Sequence, residues 1–146
     1  MNLWKLWIAV RLLARSEYDR VGARAARTCQ HGGMDEYEVA QTDIAGLPAA
    51  FDESVVLLDV REDDEWQRGH VAGAQHIPMG EVPARIGEID PDATLYVVCH
   101  AGGRSQRVSQ YLVRYGYTPI NVTGGMLAWA GAGRPIVTDD GSAGNV

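Results

Sequence analysis

Two runs of apolar residues stand out along the chain. The first spans Val55–Val60 and is interrupted only by Asp59, and the second spans Thr94–Val98. Continuous apolar runs of this length predict strands that are buried on both faces, as in parallel sheets. The 33 residues between the runs are enough for a crossover connection, so we expect the two strands to pair in parallel.

Helical patterns follow each of these strands. The polar stretch Glu62–Arg68 predicts a short helix that stops at Gly69. A longer helix is predicted from Arg104 to Tyr115, with Gly116 at the position of a left-handed C-cap. The apolar stripe of this longer helix, spaced i, i+3, i+4 and i+7, consists of Val108, Tyr111, Leu112 and Tyr115.

Further short elements are predicted on either side of these segments. Tyr37–Val39 could be a short edge strand, and Thr42 could cap a short helix that ends near Leu47-Pro48. Pro119–Thr123 predicts a third strand, and Gly124-Gly125 opens a last helix through Trp129. Strands that alternate with helices predict an α/β fold, an open and mainly parallel β-sheet flanked by helices on both faces.

The first 33 residues differ from the rest in pattern and charge. Residues 1–33 carry a net charge of +4 and the remaining residues carry −10, which gives −6 for the whole chain. A basic amphipathic helix of this kind could lie on an anionic membrane surface or act as an organellar presequence. It could also dock on the domain, or be an irregular extension before a start at Met34. The apolar stripe of this helix consists of Leu3, Leu6, Trp7, Val10 and Leu13.

These boundaries divide the chain into three parts. Residues 1–33 form a basic N-terminal extension that is helical at first and then flexible, and residues 34–140 form the domain. Residues 141–146 are expected to be a flexible C-terminal tail.

Charge and composition exclude several classes of protein. An acidic body repels the nucleic-acid backbone, so we expect no nucleic-acid partner. The apolar run Leu6–Val10 is far shorter than the roughly 20 residues that span a bilayer, which predicts no transmembrane segment. Two cysteines, Cys29 and Cys99, cannot form a disulfide framework, and no secretory signal is visible. We therefore expect a reducing, cytoplasmic setting.

Candidate chemistry concentrates directly after the strand 94–98. Cys99 is followed by His100, Ala101, Gly102, Gly103, Arg104 and Ser105 before the long helix. Ligands bind outside the carboxyl ends of parallel strands, and the two glycines let successive N–H groups point inward as an anion nest. The helix dipole and Arg104 add positive potential, which predicts a lowered pKa for the Cys99 thiol. The alternative is that Cys99 is an inert, buried apolar residue.

This loop and its flanks resemble the active-site loop of the rhodanese family of sulfurtransferases. Three further segments agree with that family in order, so that the resemblance covers about residues 36 to 136. The matching segments are Leu58–Glu62, Glu65-Trp66 with Gly69–Ala74 and His76–Pro78, and Asn121–Trp129.

The resemblance implies a single rhodanese-like domain in which Cys99 takes a sulfane sulfur from a donor such as thiosulfate. The persulfide sulfur would then pass to cyanide, a thiol or a protein acceptor, without a metal or cofactor. The residues implied to bind the small anionic donor are His100, Ala101, Gly102, Gly103, Arg104 and Ser105.

Three neighbouring residues are candidates for binding the donor or supporting the loop. His100 stands where many relatives have a basic residue, so it could bind the anion as a cation or point to solvent. Asp59 and Arg61 are expected to support the loop: Asp59 could accept loop N–H bonds, and Arg61 could pair with Glu62 or Glu65.

Other roles for the thiols stay open. Cys29 could resolve the persulfide or form a disulfide with Cys99. Combinations of Cys29 with His31, or of Cys99 with His70, His76 and His100, match no zinc spacing.

Two other functions are compatible with the residues. A cysteine-dependent phosphatase uses a related loop, but it needs one more residue than the four that separate Cys99 from Arg104. A non-enzymatic or regulatory rhodanese module, or a sulfur carrier, would keep the loop without turnover.

Overall fold

The computed structural model describes residues 37–146. Within them a sheet of parallel strands consists of β1 Ala40–Thr42, β2 Val55–Asp59, β3 Gln75–His76, β4 Thr94–Val98 and β5 Pro119–Val122. The strand order is β1-β5-β4-β2-β3, and every pair is parallel. The predicted pairing of the two apolar runs is confirmed, because Val55 lies opposite Thr94 and Asp59 lies opposite Val98.

Helices connect these strands. They are α1 Asp63–Arg68, α2 Val82–Arg85, α3 Gly103–Arg114 and α4 Gly125–Gly131, with 3-10 turns at Ile44–Gly46, Met79–Glu81 and Ile86–Glu88. The start of α1 is a capping box, in which Glu62 and Glu65 each accept the other's backbone N–H. After α3, Gly116 has a φ of +86°, which is the left-handed conformation that the sequence predicts there.

The sheet separates two apolar cores, which confirms helices on both faces. One core lies between the sheet and α2 and α3, and the other lies between the sheet, α4 and the first 3-10 turn. The first contains Leu58, Val60, Val82, Leu95, Val97, Cys99, Val108 and Leu112, and the second contains Ile44, Leu57, Val98, Val122, Met126 and Trp129.

The beginning of the described segment differs from the prediction. The edge strand lies over Ala40–Thr42 rather than Tyr37–Val39, since its register is set by pairing of Ala40 with Ile120. The cap of the following turn is Asp43, whose carboxylate accepts the Gly46 N–H at 3.0 Å, and not Thr42. Thr42 belongs to the strand, and its carbonyl accepts the Thr123 N–H at 2.8 Å.

The last residues run along the domain. The Gly144 N–H donates to the Ile136 carbonyl at 2.9 Å, and the Asn145 N–H donates to the Arg68 carbonyl at 3.0 Å. Within residues 141–146, which were expected to be a flexible tail, Asn145 is thus hydrogen-bonded to the end of α1. No helix between residues 37 and 146 has the length and apolar character needed to cross a membrane. The apolar stripe predicted for residues 1–33 and the Cys29 thiol lie outside the described residues.

Candidate active site

The Cys99 thiol lies at the carboxyl end of β4, where α3 begins. Its side chain is almost completely buried, with 1% of its surface exposed. The Gly102 N–H donates to Sγ at 3.1 Å, and the Ser105 hydroxyl lies 3.3 Å from the same sulfur. Gly102 has a φ of +108°, a conformation that favours glycine and turns its N–H back toward the thiol.

The balance of these contacts favours the thiolate. Burial raises the pKa of the Cys99 thiol, but hydrogen bonds from the Ser105 hydroxyl and from the N–H groups of Ser105, Gly102 and Ala101 lower it. The net effect is a pKa below the ordinary value, in the direction that the sequence predicts.

The first turn of helix α4 is hydrogen-bonded to the loop that begins at Cys99. The N–H groups of Met126 and Leu127, in the first turn of α4, donate to the carbonyls of Cys99 and His100 at 2.8 and 3.0 Å. First-turn N–H groups have no partner within their own helix, so these bonds satisfy them and orient the loop peptides. Gly125 makes the close approach possible, because a Cβ there would lie 2.3 Å from the Cys99 carbonyl oxygen.

The second glycine pair, Gly124-Gly125, is visible in the sequence, where it predicts only the start of a helix. Its role in holding the loop depends on contact between segments that lie about twenty-five residues apart in the chain. A glycine pair directly after a strand was the signal that could have indicated a close backbone approach there.

Arg104 is engaged by a partner from another helix. Its two terminal nitrogens donate to the two carboxylate oxygens of Glu65 in α1, each at 2.7 Å. The hydrogen bond to Arg104 holds the pKa of Glu65 down to about 2, so this carboxylate is ionised near neutral pH. The same carboxylate raises the pKa of Arg104. The guanidinium expected to face the donor is thus paired with Glu65, which was expected as a possible partner of Arg61 instead.

Arg61 also has a different partner from the one predicted. Its guanidinium pairs with the Asp59 carboxylate, with a shortest contact of 2.7 Å, and both side chains are 1% exposed. It also donates to the Gly69 carbonyl at 2.8 Å. Pairing of Arg61 with the carboxylate of Glu62 or Glu65 is therefore wrong. The buried Asp59 also accepts the Arg61 N–H at 3.0 Å, and this ion pair joins the end of β2 to the end of α1.

Two further histidines belong to a stacked cluster instead of a metal site. The Trp66 ring lies parallel to His70 and His76, with centroids 3.7 and 4.6 Å away. Each imidazole donates to a backbone carbonyl, His70 to Trp66 and His76 to Arg61. Within residues 37–146, no group of three His, Cys, Asp or Glu side chains is arranged to hold a metal ion.

The remaining loop residues differ in exposure. Ala101 and Gly103 are exposed and His100 is half-buried. Of the predicted loop residues, Gly102 and Ser105 form hydrogen bonds to the buried sulfur, whereas the guanidinium of Arg104 bonds to Glu65.

The chain is similar to known proteins. A family model described as the Rhodanese-like domain matches residues 46–132. The chain is 42% identical over 100 residues to YtwF of Bacillus subtilis, provisionally named a sulfurtransferase, covering 67% of this chain and 97% of that protein. It is 36% identical over 92 residues to the thiosulfate sulfurtransferase GlpE of Pseudomonas putida, covering 62% of this chain and 83% of GlpE.

A solved structure is similar as well. The crystal structure of a rhodanese-related protein from Thermoplasma volcanium superposes with a TM-score of 0.57 at 30% identity. The match covers 60% of this chain and 87% of that one.

Proposed function

Because this chain belongs to the rhodanese-like domain family, we propose that it is a sulfurtransferase whose nucleophile is the Cys99 thiolate. The observation that carries the proposal is the environment of Sγ, which accepts hydrogen bonds from the Gly102 N–H and the Ser105 hydroxyl at 3.1 and 3.3 Å. A thiol with a lowered pKa attacks without a separate general base.

The first half-reaction loads sulfur onto the protein. A lone pair of the Cys99 thiolate forms a bond to the sulfane sulfur of the donor. The donor's S–S bond breaks, and its electron pair leaves on sulfite when the donor is thiosulfate. The negative charge then resides on the outer sulfur of a Cys99 persulfide. The loop N–H groups that lower the thiol pKa are suited to stabilise that charge.

The second half-reaction returns the thiolate. An acceptor such as cyanide or a thiol, including a thiol on a protein, attacks the outer sulfur, and the Sγ–S bond breaks with its electrons staying on Cys99. The donor reacts with the Cys99 thiolate and leaves before the acceptor reacts with the Cys99 persulfide, so ping-pong kinetics follow. Because the cycle depends on a free thiolate, we place the activity in a reducing compartment such as the cytoplasm.

Mass spectrometry of the intact protein tests the covalent step. Incubation with thiosulfate should add the mass of one sulfur atom, and cyanide should remove it with formation of thiocyanate. Cys99→Ser should show no adduct, whereas Cys29→Ser, which removes the other cysteine, should keep it. Failure of the wild type to gain sulfur, or an adduct that survives Cys99→Ser, would contradict the proposal.

Turnover separates this function from its alternatives. An enzyme releases more thiocyanate than there is protein in the assay, whereas a sulfur carrier releases at most one equivalent. Hydrolysis of an aryl phosphate at a rate exceeding sulfur transfer would instead indicate a phosphatase.

A further inference from the structure

The ion pair between Arg104 and Glu65 engages the guanidinium that a donor would use. Arg104 is the only lysine or arginine among residues 99–105, and both of its terminal nitrogens bond to Glu65 at 2.7 Å. Arg104 directly precedes Ser105, whose hydroxyl lies 3.3 Å from Sγ of Cys99, and the charge on Cys99 contributes to raising the pKa of Arg104. The guanidinium thus belongs to the same helical turn as a group that contacts the sulfur, but its charge is already balanced by Glu65.

The surroundings of this pair add negative charge. Glu62, Asp63 and Asp64 precede Glu65 at the start of α1, and their side chains are exposed. Glu62 also contributes to raising the pKa of Arg104, so its charge reaches the guanidinium. On the adjacent strand end, Arg61 is buried and paired with Asp59, and it offers no free charge.

We infer that Glu65 is a specificity-determining residue, which makes the loop select sulfane donors that carry one negative charge over donors that carry two. The inference rests on the proposed sulfurtransferase function and names its donor class, the persulfide anions and thiosulfonates. Backbone N–H groups can bind one charge on the sulfane sulfur. A second charge on the leaving group, as in thiosulfate, would need a free guanidinium, which Glu65 occupies.

The reaction is the same for both donor classes and needs no further reactant. Sγ of Cys99 bonds to the sulfane sulfur, and the donor's S–S bond breaks. Its electron pair leaves on a thiolate from a persulfide, on a sulfinate from a thiosulfonate, or on sulfite from thiosulfate. Thiosulfate and methanethiosulfonate are therefore a matched pair of probes, since they deliver the same atom and differ by one charge.

The test measures kcat/KM for both probes with cyanide as the acceptor, using the full chain and its Glu65→Gln variant. Glutamine retains the acceptor that the capping box needs, but it leaves Arg104 with an uncompensated charge. We expect kcat/KM for thiosulfate to rise about 10-fold, mainly through KM, as one charge-assisted contact becomes available to the donor. The value for methanethiosulfonate should change much less. The gain should shrink at high ionic strength.

Two controls separate this effect from a general change in charge. Asp64→Asn removes a carboxylate one residue away, which pairs with Arg68 at 3.5 Å, and should leave the ratio of the two efficiencies unchanged. Adding Arg104→Gln to Glu65→Gln should cancel the gain, because the freed guanidinium is its source.

The outcomes are distinguishable. The inference is overturned if Glu65→Gln changes both probes equally, or if Asp64→Asn gives the same gain. If Glu65→Gln does not fold, the Glu65→Asp variant decides, because its shorter side chain cannot hold both guanidinium nitrogens: a gain for thiosulfate alone supports the inference, and equal changes for the two probes overturn it. If neither probe places sulfur on Cys99 in the wild type, the proposed function fails instead.

Discussion

Replacing Ser105 by alanine should raise the pKa of the Cys99 thiol. The Ser105 hydroxyl is fully buried and lies 3.3 Å from Sγ and 3.1 Å from the Gly102 carbonyl oxygen. It has a single proton, which it can donate to one of these acceptors at a time. The bond to sulfur is favoured when the sulfur is charged, so its removal penalises the thiolate more than the thiol.

The expected size of this effect follows from the strength of such a bond. A hydrogen bond to a charged group contributes about 1.5–3 kcal/mol, which corresponds to about a 10- to 150-fold change in the ratio of thiolate to thiol. We expect the lower part of this range, because the hydroxyl is shared with the Gly102 carbonyl and the Gly102 N–H remains. Sulfur transfer at neutral pH should fall accordingly and recover as the pH is raised.

The measurement is a titration of the thiolate by its ultraviolet absorbance, taken as a difference from the Cys99→Ser variant so that only this thiol contributes. Ser109→Ala is the matched control: Ser109 is as buried as Ser105 and lies one turn further along α3, and within residues 37–146 its hydroxyl has no hydrogen-bond partner. An unchanged titration in Ser105→Ala, or an equal change in Ser109→Ala, would refute the reasoning.

Three other changes test the architecture around the site. Gly125→Ala places a Cβ against the Cys99 carbonyl at a φ of +56°, so it should lower the melting temperature and abolish sulfur transfer, whereas Gly131→Ala, with open space around it, should do neither. The carboxyl of Glu65 has its usual pKa of 4.5 in the unfolded chain but a pKa of about 2 in the folded protein. Acidification across that interval should therefore lower the free energy of unfolding. Glu65→Gln should flatten this dependence in denaturant titrations, and an unaltered slope would mean that Glu65 does not titrate as described. Removing residues 1–33 should leave a folded domain with unchanged kcat/KM, which a thermal melt and the thiocyanate assay check; an insoluble product would contradict it.

Local sequence was sufficient to predict the elements whose structure depends on a single segment of the chain. The strand Thr94–Val98 and the helix after it were predicted almost residue for residue, because a short apolar run rich in β-branched and aromatic residues favours a buried strand and an amphipathic stripe favours a helix. The position of Cys99 at their junction followed directly. The placement of a thiol at the carboxyl end of a parallel strand could therefore be predicted from the sequence alone.

Contacts between distant segments were harder to predict. The partner of Arg61 was missed for a local reason: Asp59 lies only two residues away, but its carboxylate was expected to accept loop N–H bonds. Arg104 meets Glu65 across 39 positions of the chain, a contact created by the packing of two helices. The position of β1 failed for the same reason, since its partner is β5, almost eighty residues later.

The strand order has a consequence for how the protein is made on the ribosome. Among the described strands, β1 emerges first but pairs with β5, the last to be synthesised, which inserts between β1 and β4. A nascent chain that has reached Tyr117 already contains Cys99, but it lacks both the partner of β1 and the N–H groups of Met126 and Leu127. The cysteine is thus made before the contacts that shape its loop. A stalled or prematurely terminated chain would carry the thiol without the geometry that makes it reactive.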